Sequence, residues 1–400
     1  MTTGADRDVR AAPGARCDDE ERLARVALSR VVEPGDERVG RLVAHTSAAE
    51  VWSALLARDL RVTGVDGYLL RLPEADPHRD LERAAAAGIR VLVPGDAEWP
   101  AGLDGFGPKA PLLLWVKGEP DLAAFTERSV AIVGARAATD YGEYVAAELA
   151  ADLAAAGWAV ISGGAYGIDA RAHRGALAAG GATAAVLACG VDVAYPRGHE
   201  TLFTEIARRG LVVGELPPGC TPTRFRFLER NRLIAGLTAG VVVVEAAVRS
   251  GAANTARWAE RLGRPVMAVP GPVTSSMSAG CHVLLRSHTA ELVTDAAEVI
   301  EVVGRIGADL APERRGDVDP RDALPPEPRR VLEAIPARGS ATPDRLARLT
   351  GVDPRRLLVV LGELEAAGWV DRDEAGWCLG ELGRARRRAP AERDTTGRGA

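Results

Sequence analysis

Short apolar runs that stop at a glycine alternate with amphipathic stretches through the middle of the chain. Val130 to Val133 ends at Gly134, as a strand buried on both faces of a parallel sheet reads. From Tyr141 to Ala156 the apolar Val145, Leu149 and Leu153 recur every four residues with Glu143, Glu148 and Asp152 between them, which predicts an amphipathic helix ended by Gly157. A second strand, Trp158 to Ile161, runs into Ser162-Gly163-Gly164, and Gly167-Ile168-Asp169 opens the next helix. Two strands that each end in a glycine turn are the plan of a βαβ unit.

The alternation continues with the helix ARAHRGALAAGG, the buried strand ATAAVLACG, a loop from Asp192 to Glu200, the helix TLFTEIARRG and the strand LVVGEL. VVVVEA is the most apolar strand and predicts a central place in the sheet; AANTARWAERLG and RPVMAVPG follow as helix and last parallel strand. The loops at Gly134, Ser162, Gly190, Gly214, Glu245 and Pro270 then open on one rim, where a long ligand could lie. The class is α/β: an extended, Rossmann-like, doubly wound and mostly parallel sheet.

Flanking segments carry other patterns. Residues 1–18 are polar and read as a disordered lead-in, and 19–110 as a small helical module and connector, with ERLARVALSRVV, SAAEVWSALLARDL and LERAAAAG as helices and IRVLVPG as a strand. Residues 111–304 are the core, opened by the apolar PLLLWVKG, and the Pro- and Arg-rich 305–328 are a linker. Residues 329–380 give three helices and a short hairpin, a winged-helix pattern in which Thr342, Pro343 and Asp344 open the second helix. Residues 381–400, with Arg384, Arg386, Arg387 and Arg388, read as a basic disordered tail.

Composition narrows the classes. At 400 residues and 47% apolar content the chain suits two or three soluble domains, and no apolar run approaches the ~20 residues that span a bilayer. Its start lacks an apolar core, so no secretory signal is expected and a cytoplasmic location is. Cys17, Cys189, Cys220, Cys281 and Cys378 form no CxxC pair, which argues against disulfides and structural zinc. A net charge of −5 requires any nucleic-acid site to concentrate its cations locally.

The sheet edge supplies candidates. Glycine loops let an anion approach backbone N–H groups, so Gly134, Arg136, Ser162, Gly163 and Gly164 are expected at a phosphate site, although tight turns alone also call for such glycines. In PPGCTPTRFRFLERNRLIAGL, Arg224, Arg226, Arg230 and Arg232 stand against one acid, Glu229, with Phe225 and Phe227 interleaved. Guanidinium groups neutralise phosphates and aromatic faces stack unpaired bases, so this is how a single-strand binder would be built; a solvated helix end with core phenylalanines is the plainer alternative. Asn231 could donate to phosphate or base. Asp169 and His173, four apart, read as a helix-capping acid and a packed histidine, Trp258 as core, and Cys281-His282 lacks further metal ligands.

VAIVGAR, YGIDARAHRGAL, CGVDVAYPRGHETL, GELPPG, RNRLIAGL, VVVVEA, SGAANTA and VPGP stand in the order and spacing of the DNA-processing protein A family, DprA or Smf, which this chain resembles most strongly from Pro111 to Ile300. The resemblance implies a Rossmann-like core flanked by a helical (SAM-like) module and a winged helix. It further implies a homodimer that binds single-stranded DNA, protects it and loads the RecA recombinase onto incoming strands during natural transformation, with no cofactor and no catalysis. Carried over residue by residue, it assigns DNA binding to Gly134, Arg136, Ser162, Gly163, Gly164, Tyr166, Gly167, Arg230, Asn231, Arg232, Ser250 and Gly251. Tyr166 stands where many relatives have a basic residue, so one phosphate contact is missing or replaced by stacking; His199 with Gly198 is a second departure. The alternative is an enzyme: nucleotide phosphoribohydrolases of the lysine-decarboxylase-like group are similar in fold and carry PGG-x-GT-x-x-E, where this chain has SGAANTARWAE with Glu260 in line with the glutamate. A dehydrogenase is disfavoured by the missing G-x-G-x-x-G.

Overall fold

The computed structural model describes residues 19–58, 66–305, 307–312 and 319–384. The chain divides into two compact units, Met1–Pro312 and Glu313–Ala400. The lead-in at 1–18, Cys17 and the tail beyond Arg384 lie outside the described residues.

In the first unit, α1 (Asp19–Val31), α2 (Glu37–His45), α3 (Ala48–Leu56) and α4 (Asp66–Leu69) form the helical module, followed by α5 (Pro77–Ala86). Leu28, Val31, Val39, Val51 and Leu55 make a core of their own. Caps explain the breaks: Asp36 accepts from the Arg38 and Val39 amides at α2, and Ser47 from Glu50 at α3.

Nine strands then make one sheet: β1 (Ile89–Leu92), β2 (Leu114–Lys117), β3 (Ser129–Val133), β4 (Ala159–Ser162), β5 (Thr183–Gly190), β6 (Leu211–Leu216), β7 (Gly240–Val243), β8 (Val266–Ala268) and β9 (Glu291–Leu292). Their order is β1-β2-β6-β5-β4-β3-β7-β8-β9. From β6 through β9 the pairs are parallel, while β1–β2 and β2–β6 are antiparallel. The sheet therefore starts at Ile89, inside the stretch the sequence assigns to a connector. PLLLWVKG does not merely lead into the core, because β2 within it is a strand of the sheet and Trp115 is fully buried there. Gly214 is also placed differently: it lies inside β6 opposite Trp115 and not in a rim loop.

Helices α6 (Leu122–Glu127), α7 (Asp140–Ala155), α8 (Ile168–Ala178), α9 (Glu200–Arg209), α10 (Arg224–Gly236), α11 (Gly251–Arg261), α12 (Ala279–Arg286) and α13 (Ala296–Val303) join or follow the later strands. The apolar runs read from the sequence are buried on both sheet faces: Ala131 and Val133 belong to one core cluster, Val130 and Ile132 to another. The chain runs β3, β4, β5, β6 outward and then returns to place β7 on the other side of β3. The crevice between β3 and β7 is thus the switch point, where doubly wound sheets bind ligands.

The second unit holds α14 (Pro326–Ala334), α15 (Pro343–Thr350), α16 (Pro354–Ala366), the hairpin β10 (Val370–Asp373) and β11 (Gly376–Leu379), and α17 (Glu381–Arg384). Thr342 caps α15 by accepting from the Arg345 amide, and Gly351 ends it in the left-handed conformation. Leu346, Leu357, Val360, Leu361, Trp369 and Trp377 pack together as its core. Two boundaries shift: α14 begins within the expected linker, and α17 within the expected tail.

Close packing of α7 on α8 rests on Gly175, where an added Cβ would run into the Ala147 carbonyl of α7. Gly175→Ala is expected to destabilise the first unit by ~1–3 kcal/mol, the usual cost of overpacking. A urea midpoint unchanged from the parent chain would show that the helices can part freely.

Candidate nucleic-acid interface

The loops after β3 and β7 and the starts of two helices enclose a trough of about 1090 Å³. Gly134 and Arg136 come from the β3–α7 loop, Ser250 and Gly251 from the β7–α11 turn, and Arg224, Phe227, Arg230 and Asn231 from α10. Arg249 and Arg257 complete five arginines in the lining, and Asp169 is its one acid among the described residues. Both α10 and α11 start at this trough, so the positive ends of two helix dipoles face it. Thr223 and Ser250 cap them by accepting from the Arg226 and Ala253 amides.

Arg230 is the buried element, 5% exposed. Its Nη1 donates to the Gly163 carbonyl at 2.7 Å and to the Val186 carbonyl, which fixes the guanidinium across the carboxyl end of β4 and against β5. A Cβ at Gly163 would stand 2.5 Å from Nη2 of Arg230, so a side chain there would displace the guanidinium from this seat. Burial pulls the Arg230 pKa down to about 10 and Asp169 works against that, so the group remains charged at neutral pH. Asp169, at the start of α8, accepts from the Ala165 amide at 3.3 Å, and burial raises its pKa. Outside Arg230 lies Phe227, whose ring centroid is 5.7 Å from the Arg230 Cζ and 5.0 Å from the Arg136 Cζ. The Tyr195 ring is 5.5 Å from the same centroid. Arg136 is exposed and so reaches outward from an aromatic seat.

The other residues expected here have different roles. Arg232 is the clearest correction: it is fully buried, its Nη2 donates to Glu215 at 2.5 Å, and its guanidinium lies over Phe106 at 5.4 Å. It is absent from the trough lining because a side chain two residues from Arg230 leaves the helix on another face. Arg226 is likewise engaged, donating to both oxygens of Glu33 at 2.8 and 3.0 Å. Asn231 does line the trough, but its amide donates to the Gly251 carbonyl and to Asn254, tying α10 to α11.

Ser162, Gly163, Gly164 and Gly167 lie outside the lining and build the floor beneath Arg230. The Ser162 hydroxyl donates to the Ile132 carbonyl at 2.6 Å. Gly167, at φ 75°, is pressed against the Ala135 and Arg136 carbonyls and holds the two glycine loops together. Tyr166 is exposed but outside the lining, with its ring against His199 at 4.6 Å. His199 in turn donates from Nδ1 to the Gly164 carbonyl. Glu245 is a buried acid that accepts from both the amide and the hydroxyl of Thr139, fastening the start of α7. Glu260, the acid that the hydrolase alternative needs, is exposed and outside the lining.

Arg249, Arg257 and Tyr195 were not singled out as site residues from sequence. Arg249 immediately precedes the Ser250-Gly251 turn and could have been found there; Arg257 lies six residues into the helix and carries no local signal.

A doubly wound sheet with a basic trough at its switch point, in a chain that also holds a winged-helix unit, defines the class as Rossmann-like proteins with a site suited to a polyanion. Residues 90–304 match the family described as DNA recombination-mediator protein A, and residues 316–376 match the DprA winged helix domain. A Mycobacterium tuberculosis protein carrying the name DprA is 47% identical over 372 residues, 88% of this chain and 92% of the relative. The protein Smf of Escherichia coli is 35% identical over 298 residues, covering 72% and 76%. The crystal structure of DprA from Streptococcus pneumoniae superposes with a TM-score of 0.59 at 30% identity, covering 72% of this chain and 99% of that one. The chain belongs to the DNA recombination-mediator protein A family.

Two stability predictions follow from the site's supports. Arg232→Ala leaves the Glu215 carboxyl buried without its partner and is expected to cost ~3–5 kcal/mol, measured by denaturant unfolding. His173, fully buried, donates from Nδ1 to Thr183, whose own hydroxyl donates to the Val160 carbonyl. Burial pushes the His173 pKa down to about 3. The unfolded chain binds this proton below about 6.5 while the folded chain refuses it, so stability falls as pH drops from there towards 3. His173→Gln should flatten the pH dependence between pH 7 and 5; an identical profile in parent and variant contradicts the assignment.

Proposed function

We propose that this chain is a cytoplasmic recombination mediator that binds single-stranded DNA in the trough, protects incoming strands and loads RecA onto them during natural transformation. The observation that carries the reading is the concentration of five arginines and two helix starts at one sheet edge of a chain whose net charge is −5. Long-range attraction cannot come from the whole molecule, so it must come from this edge. Arg136, Arg224, Arg249 and Arg257 are exposed cations suited to successive phosphates, and Arg230 is a fixed one behind them. Gly251 leaves open space beside the backbone, and the Ser250 hydroxyl is turned onto the Ala253 amide, so this turn is accessible to a strand. Contacts of arginines and helix starts are made to phosphates, which carry no sequence information, so little sequence preference is expected. RecA loading and the homodimer are supported by family membership. The protein acts by binding and not by catalysis.

Anisotropy titrations with single- and double-stranded oligonucleotides over a range of salt test the reading. Single strands should bind tightly, with a log–log salt slope of roughly −0.7 for each phosphate neutralised. Arg136→Ala should weaken binding about tenfold and make the slope shallower by about 0.7, the share of one contact. A flat salt dependence, or equal affinity for Arg136→Ala and parent, overturns the trough as the DNA site. Adding RecA to strands coated with single-strand-binding protein tests the mediator step; filaments should form faster with the parent chain than with Arg136→Ala.

A further inference from the structure

The arginines of the trough serve phosphates, and phosphates are offered by duplex and single strand alike. What sets a single strand apart is the open faces of its bases, which stack on aromatic rings and are shut away inside a duplex. Two aromatic rings belong to the lining among the described residues, Phe227 and Tyr195. Phe227 is already engaged: the Arg136 and Arg230 guanidinium groups stand over its ring at 5.0 and 5.7 Å, and the Tyr195 ring leans on it at 5.5 Å and 52°. Phe225 and Tyr166 are exposed but outside the lining, and Tyr166 is set against His199. Tyr195 is the ring left over. It is 45% exposed, and Phe227 is the one ring it meets among the described residues.

The loop that carries Tyr195, between β5 and α9, is tied down on both sides of it. The Asp192 carboxylate accepts from the Gly219 amide at 2.9 and 3.0 Å, the Val193 amide donates to the Gly190 carbonyl at 2.9 Å, and the His199 amide donates to the Pro196 carbonyl at 2.9 Å. Val193 and Ala194 pack against the core beneath the loop. A ring on a fixed seat loses little freedom when a base arrives, so less of the stacking is offset by ordering. The two cations that meet Phe227 stand one ring away from Tyr195, so a base on the tyrosine keeps its own backbone beside them.

We propose that Tyr195 is a stacking platform for an unpaired base of the strand in the trough, and that this ring gives the site its preference for single strands over duplex. The proposal rests on the trough being the DNA site.

The test is a set of anisotropy titrations on the full chain with three probes: a short single strand without a 5′-phosphate, the same strand with abasic spacers in place of its nucleotides' bases, and a duplex. Tyr195→Ala is expected to weaken the single strand about tenfold, within the range of one base–aromatic contact. Its salt slope on that strand should equal the parent's, because no phosphate contact is lost. Affinity for the abasic strand and the duplex should also equal the parent's, which shows that the variant is folded, and Tyr195→Trp should bind the single strand at least as well as the parent. Tyr195→Ala equal to the parent on the single strand, or weakened as much on the abasic strand, overturns the platform. So does a larger loss on the single strand with Tyr166→Ala than with Tyr195→Ala. In each of these cases weaker binding of the single strand and the abasic strand by Arg136→Ala leaves the trough standing without the platform; no effect of Arg136→Ala removes both.

Discussion

The trough depends on a guanidinium held out of water. Arg230 is seated on the carbonyls of Gly163 and Val186, and the geometry of α10 follows from where that group must sit. A buried charge is tolerated when its protons are taken by acceptors and an opposite charge is near, which Asp169 supplies. Each condition imposes another. The seat needs a glycine at 163, and Gly167 must pack against the Arg136 carbonyl for the two loops to meet. With these satisfied, Phe227 and Arg136 stack outward in a fixed order.

Seen from its back, α10 is held by ion pairs to residues outside it. Arg226 grips Glu33 of the helical module, 193 residues earlier, and Lys109 reaches Glu229 at 3.5 Å. Arg232 pairs with Glu215 on β6. The helical module is therefore part of the mechanical support of the trough. In the same region Arg30 of α1 bonds to Asp80 of α5 and donates to the Pro218 carbonyl at 3.1 Å, in the loop that leads to α10. Three of the arginine-rich segment's cations are engaged in folding, which explains how a cluster so dense is tolerated within a single helix.

This division marks the limit of what the sequence reveals. The strands were legible because residues buried on both faces of a parallel sheet leave unbroken apolar runs, and their glycine ends mark the loops. The switch point was legible only as a rim of six loops, since strand order is a long-range property; the return of β7 beside β3 narrows it to two of them. Arg136 and Arg230 were named from sequence and line the trough, whereas Arg232 was named with them and is buried. Helical phase separates 230 from 232, but it does not say which direction faces solvent until the partners Glu215 and Glu33 are in place. The antiparallel edge was missed because β1 and β2 are separated by a long irregular connection around Trp99-Pro100 and give no hairpin signal.

The two kinds of arginine imply two contributions to binding. In the DNA binding proposed above, a buried, preorganised guanidinium would lose little side-chain freedom when a phosphate arrives, so less of Arg230's interaction would be offset by ordering. The exposed Arg136, Arg224, Arg249 and Arg257 give up rotamer freedom on contact, at a cost of about 0.5–1.5 kcal/mol for each immobilised side chain. In exchange such exposed cations would adapt to an uneven phosphate backbone and attract it over a distance that shortens as salt rises. A trough with mobile arms alone would hold any polyanion loosely, and one with fixed arms alone would demand a single phosphate spacing. Mixing one fixed cation with several mobile ones suits a flexible chain that must be held in one place while its sequence varies.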